Sequence, residues 1–413
     1  MSNRVVVTGM GAVSPVGNDA DEFVKNILDS KVGVAPITDF DASDTGITVA
    51  AEVKDFDPGK RLTKRDYKRL DKYAQYALYT AKEAMEQAGL KDGENYQPED
   101  LGVIYGTGIG GIQTIQEQTE KAYTKGPKRV SPLFVPKSIS NMAVGNVSMY
   151  FDARNTSQTI VNACASGTNA IGNAYEYIKA GKAKVMIAGG TEAAVTKMGI
   201  AGFASLTALS TATDPKDASL PFDKDRNGFV MGDGAGTLIL EDYDHAKARG
   251  AKILAEVVGY GTTSDAYHLT APDPEGKGAI AAMKQAIDEG GIKPEELDYV
   301  NAHGTATHAN DVSEAGAIGK LFKDNDHLKT SSIKGMIGHS LGAAGGLEAV
   351  AVVGALENDQ MPVNVGMKNK DPEIKIDLVN DQNKNDSIKT AISNSFGFGG
   401  HNAVIALRKW EEN

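Results

Sequence analysis

Short β-branched runs alternate with helix-period stretches along most of the chain. Residues 4–8, 101–105, 184–188 and 236–240 read as strands in the first half, and residues 253–258, 299–302, 390–393 and 403–407 in the second. Between them, residues 74–88, 166–180, 279–289 and 342–356 carry the spacing of helices with one apolar face. In the second of these, Ile171, Ala174, Tyr175 and Ile178 fall at i, i+3, i+4 and i+7, which places them on one buried stripe. This alternation predicts an α/β architecture with helix-covered, largely buried sheets. A loose internal repeat accompanies it. Cys164-Ala165-Ser166-Gly167 opens a helix that leads to the strand ending at Gly189-Gly190, and Gly338-His339-Ser340-Leu341-Gly342 opens another that precedes Phe396-Gly397-Phe398-Gly399-Gly400. The repeat predicts two halves, 1–250 and 251–413, packed so that the thiol and the imidazoles meet.

Composition narrows the function classes. The 413 residues are 41% hydrophobic and 23% charged, as in a globular protein with a large core. With 43 basic and 54 acidic side chains the net charge is −11, which disfavours wholesale nucleic-acid binding. The 46 glycines cluster at the ends of predicted strands rather than in linkers, as tight turns around a site require. One cysteine allows no internal disulfide, so a reducing cytoplasmic setting is expected. The N-terminal residues lack the apolar run and cleavage site of a signal peptide, and no apolar stretch approaches the roughly 18 residues of a membrane span.

The lone Cys164 is the first candidate for chemistry. At a helix N-terminus it faces unpaired N–H groups and the positive end of the helix dipole, which favour a nucleophilic thiolate. A buried cysteine is as often a small hydrophobe, so the second half of the chain decides. There His303 ends a predicted strand beside Gly304, and His339 follows Gly338 at a helix start, with Lys334 five residues upstream. Three other motifs fail on their details. Gly106-Thr107-Gly108-Ile109-Gly110-Gly111 satisfies the dinucleotide fingerprint, but no acidic residue closes a second strand about 20 residues on. It reads instead as a wall against a substrate tunnel. Asp223-Lys224-Asp225-Arg226-Asn227-Gly228 opens like a calcium loop but has Gly234 at its twelfth position, where a bidentate Glu is required. His303 and His308 have no acidic residue between them, so the zinc-protease helix pattern is absent too. No metal site is expected. The cationic run Lys60, Arg61, Lys64, Arg65, Lys68, Arg69 and Lys72 reads equally as a solvated face or as a docking patch for an acidic partner.

Taken in order, these residues resemble the β-ketoacyl-[acyl-carrier-protein] synthases from end to end, and most closely the type II elongating enzymes of bacterial fatty-acid synthesis. The motifs are residues 5–15, Ala163-Cys164-Ala165-Ser166-Gly167, residues 221–232, Asn301-Ala302-His303-Gly304-Thr305, residues 334–345 and Asn394 through Gly400. The resemblance implies a thiolase fold, two pseudo-duplicated halves in a five-layered α-β-α-β-α arrangement, and a homodimer. It implies an acyltransferase that condenses malonyl-[acyl carrier protein] with a Cys-bound acyl chain, giving 3-oxoacyl-[acyl carrier protein] two carbons longer. By the same resemblance Cys164 is the nucleophile, His303 and His339 hold the malonyl thioester, Lys334 tunes the pair with a carboxylate such as Glu348, and Phe398 is gate and oxyanion donor. Ile109, Phe203 and Phe396 would line the substrate pocket, and Thr305 and Thr307 would bind the phosphopantetheine arm. Lys64, Arg65, Lys68, Arg69, Lys128 and Arg129 would dock the carrier. No redox cofactor is implied; a structural monovalent cation is compatible, as in some relatives. Asp233, Ala306, His308 and His401 depart from the usual pattern and bear on substrate preference more than on chemistry.

Overall fold

The computed structural model describes residues 2–412. Ten strands form one continuous sheet. Across it, in order, lie Lys329–Ser331, Tyr299–Asn301, Thr390–Gly397, His401–Lys409 and Ala255–Ser264, then Val5–Val13, Gly234–Asp242, Val185–Glu192, Leu101–Gly106 and Ser157–Ile160. The halves join where Val5–Val7 pair antiparallel with Ala255–Val257. Each half repeats the other. From the outer edge inward, its strands come in the chain order third, second, fourth, fifth, first. In both halves the first three in space are parallel and the next two pairings antiparallel.

Helices complete the layers. Lys72–Ala88 and Met142–Tyr150 cover one outer face, and Lys277–Glu289 with His308–Leu321 cover the other. Ser166–Lys179 and Ala344–Asn358 lie between the halves and touch strands of both. This is the thiolase-like, five-layered arrangement. From Ala344 to Leu356 every residue of the second central helix is buried, as a helix apolar on nearly all sides must be, with Glu348 its one charged member in that stretch. The large apolar clusters follow the layers, one around the central helices and one under each outer layer. The outer helix Lys72–Ala88 starts at Asp71, whose carboxylate caps Tyr73 N, and stops at Gly89 with φ 66°. It lies directly on the first strand because Gly9 and Gly11 carry no side chain. A Cβ there would come within 2.2 Å of Ala84 O and 2.1 Å of Thr80 O.

The structure extends several predicted elements. The strand expected at residues 4–8 runs over Val5–Val13, and the one expected at 253–258 runs over Ala255–Ser264. Ser157–Ile160 and Lys329–Ser331 were not expected; both are short edge strands, and the first is polar and exposed. The register of the repeat also differs from the sequence pattern. Ala163 and Leu341 each have φ 49° and each begin a single 3₁₀ turn leading into a central helix. Cys164 therefore corresponds to Gly342, and His339 lies three residues before that turn's second position. Among the described residues no helix is long and apolar enough to cross a membrane.

Candidate active site

Cys164 sits in the 3₁₀ turn Ala163–Ala165 at the head of the central helix Ser166–Lys179. The preceding Ala163 is in the left-handed region, a strained conformation for a residue with a Cβ. Ser166 Oγ donates to Ala163 O at 2.6 Å and accepts from Asn162 N at 2.8 Å, which locks the turn. The loop from the neighbouring hairpin closes on it. A Cβ on Gly397 would lie 2.8 Å from Asn162 O and 3.1 Å from Cys164 N, so glycine is required for that approach. The backbone N–H of Phe398 lies on the sulfur side of the turn and favours the thiolate.

The second half supplies the imidazoles. His339 Nε2 lies 3.0 Å from Cys164 Sγ. The His339 backbone is tied to the neighbouring Val230–Gly232 segment by His339 N to Val230 O at 2.7 Å and Gly232 N to His339 O at 2.9 Å. His303 follows the strand Tyr299–Asn301 and crosses His339 edge to face, with centroids 5.2 Å apart at 85°. Glu314 accepts from His303 N and Gly304 N, each at 2.8 Å, and from Asn394 Nδ2 at 3.1 Å. Lys334 is buried, paired with Glu348, and donates toward His303 Nδ1 at 3.5 Å. A lysine ammonium only donates, so Nδ1 is the acceptor and the His303 proton sits on Nε2. Ser395 links this group to the first half, accepting from Thr168 Oγ1 at 2.8 Å and donating to Glu348 at 3.4 Å.

Burial governs the ionisation. It pushes the Cys164 thiol up to about 12, opposed by the charge of Lys334 and the Phe398 N–H and reinforced by Glu192 and Glu348. Both histidines are held well below the ordinary imidazole range, by burial first and then by Lys334. The resting site is thus a neutral thiol beside two neutral imidazoles. The thiolate expected from the helix N-terminus alone is outweighed by desolvation, and its formation needs the His339 nitrogen as proton acceptor.

A cavity of about 450 Å³ leads from the surface to these groups, lined by Cys164, Phe203, Phe229, His303, Thr305, Thr307, His339, Phe396 and Phe398 among others. Thr305 and Thr307 face each other with hydroxyls 2.9 Å apart. Phe396 packs 6.0 Å from His303. Phe203 contacts both Phe229, at 5.5 Å, and Phe398, at 6.4 Å. Ile109 is set apart from the cavity lining and packs into the apolar cluster containing Cys164, with Phe203. Phe229 packs edge to face on His339 at 5.2 Å; this residue and Glu314 were not among the sequence candidates. Lys64, Arg65, Lys68, Arg69, Lys128 and Arg129 are exposed, and no ion pair holds any of them among the described residues. By contrast Arg61 pairs with Glu83 and Glu86, and Lys72 with Asp39.

The glycine fingerprint has a different use here. The N–H groups of Gly108, Ile109 and Gly110 point at the Glu192 carboxylate, so the nest that could cradle a phosphate is filled from within. Asp223 likewise spends its carboxylate on the N–H groups of Asp225, Lys368 and Asn369.

The family model for the N-terminal domain of beta-ketoacyl synthases matches residues 2–246, and that for the C-terminal domain matches residues 254–368. The chain belongs to the β-ketoacyl synthase family. It is 46% identical over 410 residues to a 3-oxoacyl-[acyl-carrier-protein] synthase 2 of Synechocystis sp., covering 99% of this chain and 98% of the relative. To the protein of the same name from Staphylococcus aureus it is 45% identical over 411 residues, 99% of each chain. Among solved structures, a ketosynthase/chain length factor for ishigamide superposes with a TM-score of 0.92 at 32% identity over 100% of both chains. A type II PKS ketosynthase, solved with its acyl-carrier protein and bound to the hexaketide, superposes at 0.91 with 31% identity, covering 100% of both chains. The two family domains join within the segment that separates the halves of the sheet.

Proposed function

We propose that this protein is an elongating 3-oxoacyl-[acyl-carrier-protein] synthase, an acyltransferase of fatty-acid synthesis that lengthens a Cys164-bound acyl chain by two carbons from malonyl carrier protein. The observation that carries the reading is the meeting of Cys164, His303 and His339 at the end of one cavity, their sulfur and ring nitrogens all within 4.8 Å of one another. An acyl thioester entering the cavity is attacked by Cys164 Sγ as its proton passes to His339 Nε2. The tetrahedral oxyanion lies between the N–H groups of Cys164 and Phe398, and its collapse expels the carrier thiolate, which takes the proton from His339. Malonyl carrier protein then places its thioester oxygen against the Nε2–H of His303 and against His339, whose ring proton moves from Nδ1 to Nε2 through water before it donates there. Cleavage of the bond to the carboxylate releases carbon dioxide and leaves its electron pair as an enolate, stabilised by the two donors. A donor of this kind contributes about 3–4 kcal/mol where charge develops. The carbanion attacks the Cys164 thioester carbonyl, the C–S bond breaks, and the Cys164 thiolate released takes up one proton from solvent as the product leaves.

Lys334 and Glu348 are assigned to holding the His303 tautomer. Phe398, flanked by Gly397 and Gly399, is assigned as the gate that moves when the acyl chain occupies the site. Phe203 lines the acyl pocket, Ile109 bounds the apolar cluster into which the chain would extend, Phe396 flanks the imidazoles, and Thr305 with Thr307 receives the phosphopantetheine amides. The carrier, an acidic partner by this reading, docks on Lys64, Arg65, Lys68, Arg69, Lys128 and Arg129. The complex of a related ketosynthase with its acyl-carrier protein supports a carrier protein as the partner; the six exposed cations are assigned to it by their charge. A homodimer is supported by the exposed edge strand Ser157–Ile160 and the apolar side chains around it, Val135, Ile139, Met149 and Val161, all more than 40% exposed. An unpaired nucleophilic thiol favours a cytoplasmic location. No redox cofactor is needed. A monovalent cation is compatible with the site, because Asn301 Oδ1, at the end of the strand Tyr299–Asn301, is buried without a hydrogen-bond partner and such ions take oxygen ligands. The test is acylation. Mixing with acyl carrier protein should add one acyl group to the chain, and Cys164→Ala should add none; acylation of the variant would refute the assignment.

A further inference from the structure

Glu192 ends the strand Val185–Glu192 and is fully buried. Its carboxylate collects five donors from two separate parts of the chain. Oε1 accepts from Thr107 Oγ1 at 3.1 Å, Ile109 N at 3.1 Å and Gly110 N at 3.3 Å. Oε2 accepts from Gly108 N at 2.6 Å and from Gly342 N at 3.0 Å. The first four donors belong to the loop that carries Ile109. The fifth belongs to the turn Leu341–Ala343, which follows His339 and starts the other central helix. Leu341, with φ 49°, packs in the same apolar cluster as Cys164, Phe203 and Ile109.

We propose that Glu192 is a positioning residue that sets acyl-chain selectivity: its carboxylate fastens the Gly108–Gly110 loop to the Leu341–Ala343 turn and so holds Ile109 in place in the apolar cluster beside Cys164 and Phe203, outside the open cavity, where it limits how far an acyl chain on Cys164 can push into that cluster. Three consecutive N–H groups aimed at one carboxylate leave the loop no freedom to tilt. Apolar packing alone would let Ile109 shift with the size of the acyl group. The proposal rests on the condensing function above and goes beyond it by naming what fixes the pocket.

Two substitutions separate this clamp from a general loss of structure. Glu192→Gln keeps the volume, but its amide nitrogen cannot accept from the N–H groups it would face. Glu192→Asp keeps the charge and is one methylene too short to reach both the loop and the turn. Removing the charge also eases formation of the Cys164 thiolate, since Glu192 opposes it. That effect scales loading of every chain length equally and cancels in a ratio. The experiment measures loading rates of medium- and long-chain acyl carrier protein by intact mass, together with thermal melting and malonyl decarboxylation in a Cys164→Gln background. Both variants should lower the ratio between the best and worst acyl lengths by about tenfold, the scale on which an apolar pocket resolves small differences in chain volume. Decarboxylation should stay within a small factor of the parent. A parental selectivity profile with rates scaled uniformly, a change in Glu192→Gln alone, or a parent with a flat profile would each overturn the clamp while leaving the condensing function standing. A parent that takes up no acyl group would overturn both. If Glu192→Gln does not fold, Glu192→Asp carries the test by the same criterion.

Discussion

Lys334→Met should damage stability and catalysis by separate routes. The Lys334 ammonium is 1% exposed and meets a Glu348 carboxylate that is equally buried. Deleting one member of such a pair strands the other charge and costs about 3–5 kcal/mol. Part of this is offset because burial already pushes the Glu348 carboxyl up, and Lys334 is what opposes that. The catalytic loss comes from His303 Nδ1, which loses its donor at 3.5 Å, so the ring no longer keeps its proton on Nε2. Removing one oxyanion donor costs about 10²–10³ in rate. The double variant Lys334→Met/Glu348→Gln leaves no stranded charge and should recover most of the stability while recovering none of the rate. Urea unfolding reads the first quantity. Malonyl carrier protein decarboxylation in a Cys164→Gln background reads the second, free of the acylation step. If the single variant decarboxylates within about threefold of its parent, well below the range for one donor, then Lys334 does not set the tautomer and the reasoning fails.

Other expectations follow from the same geometry. Cys164→Ala should abolish condensation, whereas Cys164→Gln should keep malonyl decarboxylation; its loss in the glutamine variant would mean the thiol takes part in that step. Charge reversal at Lys64, Arg65 and Lys68 should raise the KM for carrier protein at low salt with little change in kcat, and the difference should shrink as salt is added; an unchanged KM at low salt would remove the patch. His245 is raised above 6.5, chiefly by its hydrogen bond to Glu241. The charged imidazole therefore stabilises the fold fully below pH 6.5, and that contribution disappears as the pH rises through the elevated folded value. His245→Asn should accordingly cost more stability near pH 6 than near pH 9, measured by urea unfolding; an equal cost at both would show that the pair contributes no charge-dependent stability. Met149→Asp, on the exposed apolar edge, should shift a dimer to monomer in sedimentation; an unchanged species would place the dimer contact elsewhere.

The layered α/β fold was legible because its buried strands are apolar runs and its helices carry clear periodicity. Ser157–Ile160 escaped because an exposed, polar edge strand has no such signature, and its pairing with Leu101–Gly106 is a tertiary event. Cys164, His303 and His339 stood out as chemically distinctive residues at glycine-rich turns, and the fold brings all three together. Phe229 and Glu314 did not. A phenylalanine in an apolar stretch looks like core, and a glutamate on a helix looks like surface until the loop carrying His303 is folded against it. Glu192 was hidden for a related reason: Gly108–Gly110 reads as a phosphate nest until the strand end that fills it is seen in space. The ionisation of Cys164 was the part most misjudged from local position, since a helix N-terminus argues for charge while the depth of burial argues harder against it.

The most direct test is the intact mass of the protein after mixing with acyl carrier protein, recorded again after malonyl carrier protein is added. The account predicts a single acyl adduct on Cys164 that disappears as a 3-oxoacyl carrier two carbons longer forms. No adduct with any acyl carrier, or an adduct that persists while malonyl carrier is decarboxylated, would contradict the assignment of Cys164 as the acceptor in condensation.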